Sequence, residues 1–208
     1  MSAKLARKGD FFSSGTRQGT ACSSITLDSY RPMPLVEARR KDKTLDSCAK
    51  FVEKLAGKQM RKEIRVAVLP PAFWALPSGW QHKNQTIRFN CFDTSECAVH
   101  EIVHAQLDHA GKNGFVKGAY HEGLAVFAEN IFNGSTRYFW ILLSFNFKYI
   151  PFARSLDRLS KVLGDPAEAF QMAAVKAPGT FWQMIFPLKL YAKEIAAAKA
   201  AKADAPAN

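Results

Sequence analysis

The chain has 208 residues, 48% of them hydrophobic, with 29 Lys+Arg against 18 Asp+Glu and a formal net charge of +11. That length and apolar share suffice for one domain with a real core and exclude a chain disordered throughout. The most lipid-like stretch, Tyr138 to Phe147, is about half the span of a bilayer and runs into Lys148, so no transmembrane segment is expected.

Residues Met1 to about Arg31 are rich in Gly, Ser and Thr and read as poorly ordered, so a disordered segment 1–33 is expected ahead of a domain over 34–192. Lys4, Arg7 and Lys8 have no continuous apolar region behind them, which argues against a secretory signal and for a cytoplasmic protein. The cysteines Cys22, Cys48, Cys91 and Cys97 form no C-x-x-C pair and are expected as free thiols, although Cys91 and Cys97 straddle a predicted helix start.

From Thr44 to Leu55, Leu45, Cys48, Ala49, Val52 and Leu55 recur at helical spacing, and Gly57 ends the run. Ile64 to Leu69 alternates and stops at Pro70-Pro71, which predicts a strand. Trp80 to Asn84, with His82, reads as a surface loop, and Trp74 and Trp80 as packing residues. Gln85 to Asn90 predicts a second strand, running straight into Asp93-Thr94-Ser95-Glu96, a helix start with Asp93 as N-cap and Glu96 in the capping-box position. Ala98, Val99, Ile102, Val103, Ala105 and Leu107 continue at helical spacing, and Gly111 is the expected stop.

Mid-helix stands His100-Glu101-Ile102-Val103-His104. Residues four apart share a helix face, so the two imidazoles are placed to grip one metal ion, with Glu101 beside them as general base. Seventeen residues separate His104 from Glu122 in Tyr120-His121-Glu122-Gly123-Leu124-Ala125-Val126-Phe127-Ala128-Glu129, a second helical segment closing near Asn133-Gly134. Gly111 to Ala119 is read as the loop that folds this helix antiparallel onto the first, with Glu122 near its start. Two His and one Glu with an open fourth position form one of the standard catalytic zinc sets, so Zn²⁺ is the expected cofactor, held by His100, His104 and Glu122. Glu129, about two turns on, is placed either to orient a ligand histidine or to lie on the helix surface.

His100-Glu101-Ile102-Val103-His104 followed by His121-Glu122-Gly123-Leu124-Ala125 and Glu129 resembles the gluzincins, the peptidase-MA-like zinc metallopeptidases that include thermolysin and the aminopeptidase N relatives. In the aminopeptidase branch the ligand helix reads N-E-G-F-A with a further Glu. Here His121 replaces the Asn, Leu124 replaces the Phe, and the spacer is about one residue shorter, which fits a variant domain better than a true aminopeptidase. No G-x-M-E-N-type element is present, so the resemblance, which covers Asp93 to Phe132, implies an endopeptidase. It implies a small α+β zincin-like domain with a short amino-terminal sheet, an HExxH helix and a mainly helical carboxy-terminal half. It further implies a peptide or protein substrate, and a strand at Thr86 to Asn90 whose free edge pairs with that substrate. Tyr138 lies where related enzymes bring in an oxyanion donor; Tyr120, His121 and His109 are further candidates by residue type.

After Gly134 the aromatic-rich segment to Phe152 predicts a helix beneath the site, followed by helices at Phe152 to Leu163 and Pro166 to Val175. The tail 193–208 is Ala/Lys-rich and carries no evident chemistry. The positive charge suits acidic partners, but Lys and Arg gather in the flanks without interleaved aromatics, so nucleic-acid binding is not expected. Oligomeric state is not legible. Two other readings stand beside the zinc peptidase: an inert zinc-holding pseudopeptidase, and a basic interaction protein in which the motif is accidental.

Overall fold

The computed structural model describes residues 25, 27, 30–69, 78–90, 95–108, 114–134, 150–180, 182–183 and 186–203. They form an α+β structure, mainly helical, with one four-stranded sheet. The expected helix start at Asp93, the segment 135–149 with Tyr138, and residues 1–24 lie outside the described residues.

The sheet contains β1 (Met33–Pro34), β2 (Arg65–Val68), β3 (Gly79–Gln81) and β4 (Thr86–Phe89) in the order β1-β2-β4-β3. β2 and β4 run parallel in the middle, with Val66 opposite Ile87 and Val68 opposite Phe89; all four side chains are buried, as central strands require. Two sequence expectations change here. Gly79–Gln81 is a strand rather than a loop, and only His82–Asn84 forms a 3-10 turn, closed by Gln85 at φ 48°. Three residues are too few to show an alternating pattern. As a consequence β4 has no free edge, because β2 covers one side and β3 the other; the outer edge beside the motif helix belongs to β3.

Helix α1 (Leu35–Lys41) and helix α2 (Lys43–Ala56) meet at Asp42. Its N–H donates to the Ala38 carbonyl at 2.9 Å, ending α1, while its carboxylate accepts the Leu45 N–H at 2.8 Å, capping α2. α2 buries the predicted stripe Leu45, Cys48, Ala49, Val52 and Leu55 and ends at Gly57, whose φ of 68° suits a residue without Cβ. Arg39 ties the two helices from outside, bonding Asp46 at 2.8 Å and gripping both oxygens of Glu53 at 2.8 and 3.1 Å.

The motif helix is α3 (Ser95–Leu107). It stops earlier than Gly111, at Asp108, which takes φ 53°, a conformation Asp tolerates better than most side chains. Helix α4 (Gly114–Asn133) closes at Gly134 as expected, but begins at Gly114. The segment Gly114 to Ala119, read from sequence as loop, is helical, so Glu122 lies in the third turn of α4 rather than near its start. Helices α5 (Ile150–Leu163) and α6 (Pro166–Val175) match the predicted spans within two residues, and Asp165 caps α6 through the Ala167 N–H at 2.8 Å. Helix α7 (Pro187–Leu190) and helix α8 (Ala192–Ala203) follow, so the Ala/Lys-rich stretch is helical and held to the core by Tyr191 and Ile195. At the other end the core reaches back to Ile25 and Leu27, ahead of Pro34.

α3 is wedged between the sheet and α4, burying Ala98, Val99, Ile102, Val103 and Ala105; α4 buries Leu124 to Ala128. Gly123 fixes how closely α5 approaches. A Cβ there would fall 2.9 Å from Phe152 Cβ and 3.0 Å from its Cγ, closer than real contacts allow. Among the described residues no helix is long and apolar enough to cross a membrane. Cys48 is a buried thiol outside any disulfide, pushed up to about 12 by burial and by nearby Asp42, while Cys97 is an exposed thiol outside any disulfide; Cys22 and Cys91 are not among the described residues.

Candidate metal centre

One helical turn separates His100 and His104 on α3, so both rings leave the same face, toward α4. Their Nε2 atoms lie 3.0 Å apart. Glu122 brings its carboxylate to both from α4: Oε2 lies 3.2 Å from His100 Nε2 and Oε1 lies 3.6 Å from His104 Nε2. A tetrahedral ion with bonds of about 2.0–2.1 Å holds its ligand atoms about 3.3 Å apart. The His100–His104 and His100–Glu122 separations of 3.0 and 3.2 Å lie close to that figure, and His104 lies 3.6 Å from the other oxygen of the same carboxylate. His104 is buried, at 5% exposure, and His100 and Glu122 are partly buried.

The opposite side of the His100 ring identifies what the inward nitrogen presents. Nδ1 lies 3.0 Å from Glu129 Oε1, two turns beyond Glu122 on the same helix, so the ring donates its N–H outward to that carboxylate. Nε2 then offers a lone pair toward a second imidazole nitrogen and a carboxylate oxygen. Three acceptor atoms converging out of bulk water are mutually repulsive until a cation sits among them. The donor set, the spacing and the outward bond to Glu129 all fit a zinc ion. Glu129 thus faces His100 rather than lying on the helix surface, one of its two alternatives in the sequence.

Protons on the imidazoles answer the same electrostatic demand as a cation would. Burial works against ionising Glu122, but hydrogen bonds from His100 and His104 outweigh it and hold its pKa far below the usual carboxylate range. Burial likewise opposes a charge on His100, yet Glu129 and Glu122 together raise its pKa well above that of an ordinary imidazole. Glu101 is pushed up, chiefly by burial, against the opposing pull of the two histidines. The backbone N–H of Trp80, on the edge strand β3, favours its charged form to a smaller degree. This influence of the strand is a site feature that sequence reasoning missed, because nothing in Gly79-Trp80-Gln81 announces it.

A second missed element braces the site from below. Asp108, at the carboxy terminus of α3, bonds Arg61 Nη1 at 2.8 Å and accepts from His82 Nδ1 at 2.8 Å, while Arg61 also reaches the Gln85 side-chain oxygen. The β3–β4 turn is thereby fastened to the end of the motif helix. His82 is accordingly a surface group with a structural partner. His121 packs edge-on against Tyr120, ring centroids 5.2 Å apart, and Tyr120 is buried against Phe152 at 4.9 Å, on the side of α4 turned to the core. Tyr120 is thus a core residue. Tyr138 and His109, the other oxyanion candidates, lie outside the described residues.

Among the described residues, His100, His104 and Glu122 are the one group of three or more His, Cys, Asp or Glu side chains close enough to hold a metal ion. Compared with known proteins, the chain matches no family model, no curated protein and no solved structure.

Proposed function

We propose that the chain is a gluzincin-like zinc metallopeptidase that hydrolyses internal peptide bonds, with His100, His104 and Glu122 as metal ligands and Glu101 as general base. The observation that carries the reading is the convergence of His100 Nε2, His104 Nε2 and the Glu122 carboxylate at separations of 3.0 to 3.6 Å, with Glu101 on the same helix. A zinc ion bound there supplies Lewis acidity and lowers the pKa of water at its open position.

The chain's own residues account for the proton traffic. Glu101 takes a proton from the attacking water and delivers it to the leaving nitrogen, so that water adds across the C–N bond and no proton is gained or lost. The Trp80 N–H favours the charged form of Glu101, the form that accepts the proton. Glu129 fixes the His100 ring through Nδ1, leaving Nε2 free to ligate. His121 and Tyr138 remain the proposed donors to the developing oxyanion. The reduced thiols of Cys48 and Cys97 suit a reducing, cytoplasmic setting.

The test combines metal content with turnover. The zinc-loaded protein is incubated with a denatured peptide library beside Glu101→Gln and Glu122→Ala. Glu101→Gln is expected to keep zinc and fold while losing about 10²–10⁴ of the rate. Glu122→Ala is expected to bind zinc markedly more weakly. Zinc binding without any cleavage would assign the centre to an inert zinc module, and no zinc at all would make the motif an accident. Full activity in Glu101→Gln would refute the assigned base.

A further inference from the structure

Helix α6 ends at Val175, and three bonds tie the residue after it to the start of α8. The Tyr191 hydroxyl donates to the Lys176 carbonyl at 2.7 Å, Lys176 Nζ donates to the Leu190 carbonyl at 3.1 Å, and the same ammonium pairs with Glu194 at 2.6 Å. The described residues between Lys176 and Leu190 lie at the surface, apart from the buried Pro178 and Pro187. Further bonds shape this segment internally: the Gly179 N–H reaches Gln183 Oε1 at 2.8 Å, and the Phe186 N–H reaches the Trp182 carbonyl at 2.9 Å.

This segment presents large apolar side chains to water. Trp182 is 67% exposed and Phe186 49%, their rings stacked 6.1 Å apart at 12°, with Leu188 exposed beyond them and Val175 exposed at the end of α6. Lys189 follows Leu188 directly, and Lys193 and Lys199 lie on α8; all three are exposed and form no salt bridge among the described residues. From Lys176 to Ala203 the chain has five lysines and one acidic residue, Glu194, which Lys176 already neutralises.

We propose that this segment docks the protein peripherally on an anionic lipid bilayer, with Trp182, Phe186 and Leu188 entering the headgroup boundary and the lysines pairing with anionic headgroups. Tryptophan and its aromatic neighbours are favoured at that boundary, and each nearby lysine adds attraction to a negatively charged leaflet. A second copy fits poorly. A stable dimer buries about 800 Å² per partner over some 20–30 residues, whereas a two-fold pairing here would oppose lysine to lysine around a few side chains. The docking is independent of the chemistry assigned to the histidine cluster, and its test leaves that cluster untouched.

The full chain is mixed with vesicles of phosphatidylcholine alone and of phosphatidylcholine with about one third phosphatidylserine, then floated on a density gradient. Expected is flotation with the anionic vesicles only, weakening as salt is raised. The pair Trp182→Ala with Phe186→Ala is expected to lower partitioning about tenfold or more at unchanged circular dichroism and melting temperature. Absence of binding, equal binding of wild type and variant, or equal binding to both vesicle types would overturn the proposal. Wild-type dimers that the variant abolishes would assign the surface to a second copy instead. Capture of a single-stranded oligonucleotide in place of vesicles, lost in the same variant, would assign it to nucleic acid.

Discussion

The Arg39 network on α1 and α2 and the His100 network on α3 and α4 both withdraw carboxylates from bulk water, but only the first is balanced by side chains that are cations at every working pH. Arg39 sits between Asp46 and Glu53, a permanent cation with a matched hydrogen bond for each oxygen it meets, and Lys50 adds a second cation on Asp46 at 2.7 Å. The second network sets Glu122, Glu129 and Glu101 around two imidazoles that are neutral in their ligand form, without a Lys or Arg bonded to any of them among the described residues. The first arrangement is complete as a structural tie. The second has a deficit of fixed positive charge, met by protons on the imidazoles or by a metal ion between the two Nε2 atoms and Glu122.

The largest expected effect tests that deficit directly. Zinc at about a thousandfold excess over its Kd is expected to stabilise the fold by about 4 kcal/mol, and a chelator to remove the gain. Scanning calorimetry with and without metal reads it, and His104→Ala is expected to melt at the same temperature in both. A wild-type melting temperature indifferent to zinc would mean that the second network is as self-contained as the first. Smaller is the effect of Glu129→Gln, which keeps an acceptor for His100 Nδ1 but loses the charge. Metal affinity by competition with a fluorescent chelator is expected to fall by roughly tenfold to a hundredfold; an unchanged Kd would reduce Glu129 to a packing residue.

Smaller still is the effect expected in the balanced network. Burial raises the pKa values of Asp46 and Glu53, but Arg39, joined by Lys50 at Asp46 and by the Met60 N–H at Glu53, pulls both below the ordinary carboxylate range. Their contribution to stability is therefore complete above the unfolded pKa of about 4, and is lost as pH falls through the lower folded values. Arg39→Ala is expected to cost about 1–2 kcal/mol at neutral pH and to flatten this acid-side loss. Urea midpoints measured from pH 7 down to about pH 3 check both. A variant whose midpoint falls with acid as steeply as wild type would locate the pH dependence elsewhere.

The two networks also differ in how well the sequence announces them. His100, His104, Glu122 and Glu129 were legible because helical period places i, i+4 and i+7 on shared faces, and one turn or two turns suffice to bring them together. The apolar stripes of α2, α5 and α6 were legible for the same reason. Arg39 was not, because its partners are 7 and 14 residues away across a corner between helices, a relation no periodicity encodes. β3 was missed because three residues do not make a pattern, and with it the assignment of the free edge. The early start of α4 was missed because Gly114 and Gly118 argue for a loop, whereas the helix runs through both.

Asp42 has a consequence for how this chain tolerates change. With its backbone closing one helix and its side chain opening the next, and only 2% of it exposed, the corner contains no spare residue. Each amino acid inserted into a helix turns everything upstream by about 100°. A single insertion beside Asp42 would swing Leu35 and Ala38 out of the interior and carry the Arg39 guanidinium away from both of its carboxylates. Length variation among natural variants of this protein is therefore expected to spare this corner.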